Sequence, residues 1–473
     1  RGYRNHTAHF DLSVRRQVLD MPDPLFASGG IALFFVGRGG GGHVASAVAL
    51  RDCLLEGCDA SGGKKHEPWA HEIEILDIAE VMAVATGNIG EPDGNNVYNY
   101  CLRNGWYNAA TSLSAIGCAL TGLLRTTIHG QFCRVFRQKR PLMVISFVPF
   151  LNKAIRDALM EVSPSCTFIT VVTDFESSPT HPWVEAIDGG EANHLYVAGT
   201  PELVAELEAA GYGDRMLRTS GMVVHPNFYR AARERGGACI AQPCDGIVTK
   251  GIDIDPDDHQ PSTGRSAAVG VRHFQVGESA SRPIALVYFG GEPPTKRAED
   301  IAVHFLNSFP AWTVAVLCGR NEELFSRLIL RRDAEPLMDR CVPYGFLRPE
   351  ALAAALAAAS LILGKPGPGA VSEAAVCGVP FVCESCGTTM PQEEPVLRWL
   401  ERTGKGVVVG SLVDLPRDLL RRVGDCGRVT PVALDACAGR LAPGTQGAPN
   451  VAVFEVAEFV RVCAAKAAPS HGG

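Results

Sequence analysis

From residue 31 the chain alternates short, unbroken apolar runs with amphipathic stretches. The runs are Ile31–Val36, residues 73–76, Leu142–Phe147, Thr167–Val172 and His194–Val197. Such runs, separated by helical patterns, predict strands buried on both faces and βαβ units on a parallel sheet. The pattern restarts at Ile284–Phe289 and continues through Trp312–Leu317, Leu361–Leu363, Pro380–Cys383 and Gly406–Val409. The expected fold class is α/β, with one doubly wound, Rossmann-like domain over 30–230 and a second over 283–465. Residues 231–282, rich in Gly, Asp, Pro and Ser and without period, read as a linker or mobile insertion. A chain of 473 residues has room for two or three domains.

The first apolar run feeds Gly37-Arg38-Gly39-Gly40-Gly41-Gly42-His43, and a helix-like stretch, Val44–Leu50, follows. Strand, glycine turn and helix start together place amide donors and one histidine at the edge of a sheet. Gly37, Gly39 and Gly42 also satisfy the dinucleotide-binding pattern, which wants an acid about 20 residues on, at the end of the second strand. Asp59 lies too early and Asp77 late, so that signal is weak. His43 is then either a structural histidine or a reactive one.

Charge and cysteine content narrow the classes. With 44 basic and 51 acidic residues the net charge is −7, which gives no general attraction for nucleic acid. The 16 cysteines follow no zinc-finger spacing, and Cys383 and Cys386 have no second pair, so they read as reduced core residues in a reducing compartment. The longest nearly uncharged apolar stretch, Leu113–Leu124, is short of the roughly 20 residues of a spanning helix. A peripheral membrane location fits better than a transmembrane one. The sequence opens on Arg1, so an upstream targeting segment could precede it. Asp253-Ile-Asp255-Pro-Asp257-Asp258 resembles a metal-holding acidic motif but follows no strand, and reads as a solvated charge run.

The second half carries Gly364-Lys365-Pro366-Gly367-Pro368-Gly369-Ala370-Val371-Ser372-Glu373. A strand ending in a Gly/Pro turn that opens a helix aims free N–H groups and the helix dipole at any anion placed there. Glu373 reads as a first-turn acid, able to accept ribose hydroxyls or only to complement the dipole.

Taken together, GGGGHVASAVAL (39–50), VTDF with HPW (172–183), SGMVVHPNF (220–228), FGGE (289–292), CGRNEEL (318–324), YGFL (344–347), KPGPGAVSEAAVCGVP (365–380) and PQEEP (391–395) resemble, in order, glycosyltransferase family 28. This inverting family includes monogalactosyldiacylglycerol synthases, bacterial diacylglycerol glucosyltransferases and the peptidoglycan N-acetylglucosaminyl transferase. The galactolipid synthases look most similar. The resemblance implies a GT-B architecture, with acceptor on the N-terminal domain and nucleotide sugar on the C-terminal one. It also implies that His43 is the general base and that no metal cofactor is needed. Gly367 and Gly369 would adjoin the diphosphate, Gly290 and Gly291 would fall on the donor side, and Glu373 would hold ribose. Phe346 would contact uracil, Gln392 and Glu393 the sugar hydroxyls, and Arg320 would offset leaving-group charge. Gly40, Gly41, Gly42, Asp174, His181 and Trp183 fall on the acceptor side, Trp183 as a lipid contact and Asp174 or His181 orienting His43 or binding acceptor.

Two departures bear on specificity. Ala370 stands where the family has a small hydroxyl residue, and Pro395-Val396 replace the asparagine after the Q-E pair. The implied reaction is hexosyl transfer, galactose from UDP-galactose first, to diacylglycerol. UDP-glucose or UDP-N-acetylglucosamine as donor, another lipid or a sterol as acceptor, a binding-only protein and an NAD(P) enzyme stay open. Leu113, Ile116, Leu120, Leu123, Leu124, Ile128, Phe132 and Val135 recur at helical spacing, with Arg125, Arg134, Arg137, Lys139 and Arg140 toward the end. That stripe reads either as a helix lying on an anionic bilayer or as an ordinary core-facing helix.

Overall fold

The computed structural model describes residues 30–39, 41–85, 94–179, 181–184, 193–237, 282–385, 389–415 and 450–467. Strands β1 (Ile31–Val36), β2 (Glu72–Asp77), β3 (Met143–Ser146), β4 (Thr167–Val171), β5 (His194–Ala198) and β6 (Met216–Arg218) form one sheet in the order β2-β1-β3-β4-β5-β6. Strands β7 (Ile284–Tyr288), β8 (Thr313–Gly319), β9 (Cys341–Gly345), β10 (Leu361–Gly364), β11 (Phe381–Glu384) and β12 (Gly406–Val409) form the second, in the order β12-β11-β10-β7-β8-β9. Every pairing is parallel. The central strands β1, β3, β4 and β7 are apolar and buried on both faces, as parallel strands under two helical layers must be. This is the GT-B arrangement of two Rossmann-like domains.

The two strands that the apolar runs do not announce, β6 and β9, are both at sheet edges. Three residues make up β6, and Pro343 interrupts β9, where a missing N–H is tolerated because one side of the strand is unpaired. The domain limits also shift. The helix Pro226–Gly237 runs through the expected boundary at 231, and its continuation, with the acidic run 253–258, lies outside the described residues.

The last helix, Ala452–Ala467, packs back on the first domain rather than on the second. Val453, Val456, Val460 and Cys463 join Leu50, Cys53 and Leu54 of the helix Gly42–Glu56 in one buried cluster. Arg461 donates to the carbonyls of Glu67 (2.9 Å) and Leu54 (2.5 Å).

The stripe expected over 113–140 is divided between two helices, Tyr107–Leu123 and Arg125–Lys139, which break at Leu124. In the second, Ile128, Phe132 and Phe136 are buried, and the rings of Phe132 and Phe136 lie 5.4 and 6.2 Å from that of Phe35 in β1. Its basic end is largely neutralised: Arg125 pairs with Asp157 (2.8 Å), Arg137 with Glu161 (2.6 Å) and Lys139 with Glu74 (2.8 Å). Arg134 and Arg140 are exposed. The first helix does the reverse. Ile116, Leu120 and Leu123 face solvent, Leu123 at 82% exposure, next to exposed Leu124, Trp106 and Tyr100. No helix among the described residues is long and apolar enough to cross a membrane.

Every described cysteine is a free thiol, and most are buried. At Gly364, where β10 ends, an added Cβ would lie 1.8 Å from the Tyr288 carbonyl oxygen of β7. Gly364→Ala should therefore force the two strands apart, costing about 3 kcal/mol, seen as a lower thermal midpoint by differential scanning calorimetry.

Candidate active site

The carboxyl ends of the strands in the two sheets meet, which is where open α/β sheets bind ligands. On the first domain, β1 ends in the glycine turn. Gly41 takes a φ of +88°, a left-handed conformation that glycine adopts without strain, and caps the helix Gly42–Glu56. No side chain caps this helix, so its first amides are left for a ligand. A Cβ on Gly41 or Gly42 would meet nothing within 4 Å. Gly40 lies outside the described residues.

His43 stands at the second position of that helix, part-buried, with its Nδ1 2.9 Å from Thr173 Oγ1. Trp183 lies beside it, ring centroids 5.9 Å apart. Burial, with a smaller contribution from neighbouring His181, lowers the His43 pKa to about 3. At neutral pH the imidazole is therefore neutral, held through one nitrogen, with Nε2 left over.

Two expectations on this side need correction. Trp183 is fully buried, and its indole Nε1 donates to Asp174 Oδ2 at 2.8 Å, so it is a core ring rather than a lipid contact. The orienting partner of His43 is neither Asp174 nor His181 but Thr173, the residue just before Asp174. Asp174 instead holds the Trp183 indole, whose ring lies beside that of His43. Buried with few partners, Asp174 has its pKa raised to about 7, desolvation outweighing the indole hydrogen bond. His181 is lowered to about 4, mainly by burial, and its Nδ1 is buried with no hydrogen-bond partner among the described residues. The charges of Glu393 and Lys365 act on both groups, which places these two residues of the second domain across the cleft from Asp174 and His181.

On the second domain, Gly367 caps the helix Pro368–Cys377 without a side-chain bond, and a Cβ at Gly367 or Gly369 would meet nothing within 4 Å. In that turn Gly367 N donates to the Lys365 carbonyl at 2.8 Å and Pro368 has no N–H, which leaves the helix-start amides of Gly369 and Ala370 for an anion. Glu373 is not in the first turn. It lies one turn further on, accepts from the Tyr288 hydroxyl at 2.8 Å, and has its pKa raised to about 7 by burial. It is therefore no dipole-complementing surface acid. Gly290 takes a φ of +80°, and the Gly291 carbonyl accepts from Arg320 N at 3.0 Å, tying the FGGE loop to the end of β8. The Arg320 guanidinium lies 4.2 Å from the centroid of the half-exposed Phe346 ring, and the two form an exposed shelf.

The Gln392–Glu393 pair divides. Both Glu393 oxygens are taken, by Lys365 Nζ at 2.7 Å and by Met390 N at 3.1 Å, whereas the buried Gln392 Oε1 has no partner among the described residues. Lys365 also stands 5.4 Å from the Tyr107 ring centroid. Arg103 bonds Glu292 at 2.5 Å, so the segment from 94 to 110 of the first domain is fastened to the donor loops of the second. Asp77, the late acid of the dinucleotide pattern, does close β2 beside β1, but Arg38 occupies it at 3.0 Å.

No family model matches the chain. Over 358 residues it is 24% identical to probable monogalactosyldiacylglycerol synthase 2, chloroplastic, of Oryza sativa subsp. japonica, and equally to its counterpart in subsp. indica. Each alignment takes in 72% of this chain and 63% of the relative's length, so the chain spans less than two thirds of the curated relatives it matches. Among solved structures, this chain is similar to UDP-GlcNAc 2-epimerase of Neisseria meningitidis (12% identity, TM-score 0.49, covering 91% of this chain and 98% of the other). It is also similar to the glycosyltransferase SnogD of Streptomyces nogalater (15% identity, TM-score 0.47, covering 92% and 100%).

Thr173 sits inside the VTDF segment, two residues past the end of β4 and next to Asp174, and a threonine hydroxyl there carries no sequence signature of its own. In Thr173→Val, nitrogen NMR of labelled histidine should show His43 as a mixture of neutral tautomers. The parent protein should show one tautomer, still neutral at pH 5.

Proposed function

We propose that the chain is an inverting, UDP-sugar-dependent hexosyltransferase that moves a hexose, galactose in the first instance, to the hydroxyl of diacylglycerol at a membrane surface. The observation that carries this reading is His43: a neutral imidazole, held through Nδ1 by Thr173, at a glycine turn that faces an open amide turn on the other domain. With Nδ1–H donating to Thr173, the Nε2 lone pair removes the acceptor's hydroxyl proton. The oxygen then attacks the anomeric carbon from the face opposite the diphosphate, and the bond to UDP breaks with inversion. Arg320 and the amides of Gly369 and Ala370 meet the charge on the departing diphosphate, a task that fixed donors perform without a metal. Phe346 stacks the uracil, Glu373 accepts from ribose hydroxyls, and Gln392 Oε1 and His181 Nδ1 find partners in the bound sugar and acceptor.

The rice relatives carry the name of a galactolipid synthase and a chloroplastic designation, which supports diacylglycerol and a plastid membrane as the setting. The exposed Trp106, Ile116, Leu120 and Leu123 support a peripheral membrane contact on the helix Tyr107–Leu123. Labelled sugar should pass from UDP-galactose to diacylglycerol in anionic liposomes. His43→Ala should lower the rate by about 10²–10⁴-fold with UDP affinity retained, and Thr173→Val by roughly 3–10-fold, the worth of one hydrogen bond. Product from UDP-glucose or UDP-N-acetylglucosamine instead would reassign the donor. UDP binding without product from any donor would make this a binding-only protein.

Glu373, with a pKa raised to about 7, is protonated in the folded protein over a range where the unfolded chain has already ionised. Its carboxyl accepts ribose hydroxyls more strongly when ionised, so UDP affinity should rise as pH goes from 6 to 8, measured by calorimetry. Glu373→Gln should flatten that dependence. For membrane contact, Leu120→Asp with Leu123→Asp should abolish liposome flotation. Neutralising Arg134 and Arg140 should weaken it only at low salt, since the other basic groups of that end are already paired.

A further inference from the structure

The geometry points to a divalent metal site at the back of the first domain, formed by His129 and Cys133 of the helix Arg125–Lys139 and Glu161 of the helix Asn152–Val162. It is separate from the proposed transfer chemistry and takes no part in it. His129 and Cys133 are four residues apart, so one helical turn brings both side chains to the same face. Cys133 Sγ lies 3.8 Å from His129 Nδ1 and from Nε2, and His129 Nε2 lies 3.6 Å from Glu161 Oε2. One ligand atom from each residue falls within 4.8 Å of the other two. Ligands about 2.0–2.3 Å from a tetrahedral zinc ion lie roughly 3.3–3.8 Å from one another, so little movement closes this set around a metal.

The donor set selects the ion. Thiolate with imidazole and one carboxylate suits zinc, and cobalt as its spectroscopic substitute, rather than magnesium or calcium, which prefer oxygen alone. Three protein ligands leave a fourth position for water. The carboxylate is also held from behind: Arg137, one turn beyond Cys133, bonds Glu161 Oε1 at 2.6 Å and leaves Oε2 turned toward His129. Ligating carboxylates are commonly steadied in this way by a second hydrogen bond. The site would pin together two helices that cover β1, through the Phe132 and Phe136 rings against Phe35. On binding, the Cys133 thiol proton is released to solvent and the thiolate bonds the metal.

The test uses the full chain with cobalt(II) alone as the probe. One equivalent should produce the absorption of a thiolate-bound tetrahedral cobalt centre, bleached by one equivalent of zinc. Cys133→Ser should remove the thiolate-to-cobalt band. Glu161→Gln, on the surface and harmless to folding, should weaken binding at least tenfold, and Arg137→Gln by about 10–100-fold. Zinc should raise the melting temperature of the parent protein but not that of Glu161→Gln. An unchanged cobalt spectrum in Cys133→Ser, or equal affinity in Glu161→Gln, would assign the metal to another set of thiols and overturn the proposal. So would a parent protein that binds no cobalt at micromolar concentration.

Discussion

A parallel sheet cannot turn back on itself without a crossover helix, and this constraint sets the rest of the molecule. Most strands hand the chain to a helix at the carboxyl end, so that edge collects glycine turns and uncapped helix starts. Here two such edges meet. One supplies the turn that holds His43, the other the helix-start amides of Gly369 and Ala370, and the segment 94–110 ties them through Arg103 and Glu292. A cleft with a neutral base on one wall and anion-ready amides on the other follows from topology before any side chain is chosen.

The side chains then tune that cleft by burial more than by ion pairing. His43 and His181 are kept neutral by desolvation, and Asp174 and Glu373 are pushed toward neutrality by the same cause. The charges that do stand there are paired, as Lys365 is with Glu393 at 2.7 Å and Arg103 with Glu292 at 2.5 Å. Such a site carries little charge of its own, so a doubly charged diphosphate is met by fixed dipoles and by exposed Arg320.

The central strands, both glycine turns and their attached helices were legible in the sequence because continuous apolar runs and Gly/Pro turns are local signals. β6 and β9 were not, since edge strands need neither length nor unbroken hydrophobicity. The stripe from Leu113 to Val135 has a helical period throughout, but period cannot say which face finds a partner: Phe132 and Phe136 met β1, and Leu120 and Leu123 met solvent. Trp183 misled for a related reason. An indole beside a proline looks like an interfacial anchor until the partner of its N–H, Asp174, is known. Thr173 and the true position of Glu373 depended on which atom faces which, and that is decided only when distant segments pack.

The helix Ala452–Ala467 shows what this connectivity means for a chain made from one end. The hydrophobic surface of the helix Gly42–Glu56 is covered by residues that leave the ribosome some 400 positions later. The first domain is thus completed only after the second has been made, and until this helix arrives the scaffold beneath His43 lacks one wall. A protein shortened by a late stop codon would retain every residue of the cleft and still lose the first domain's integrity.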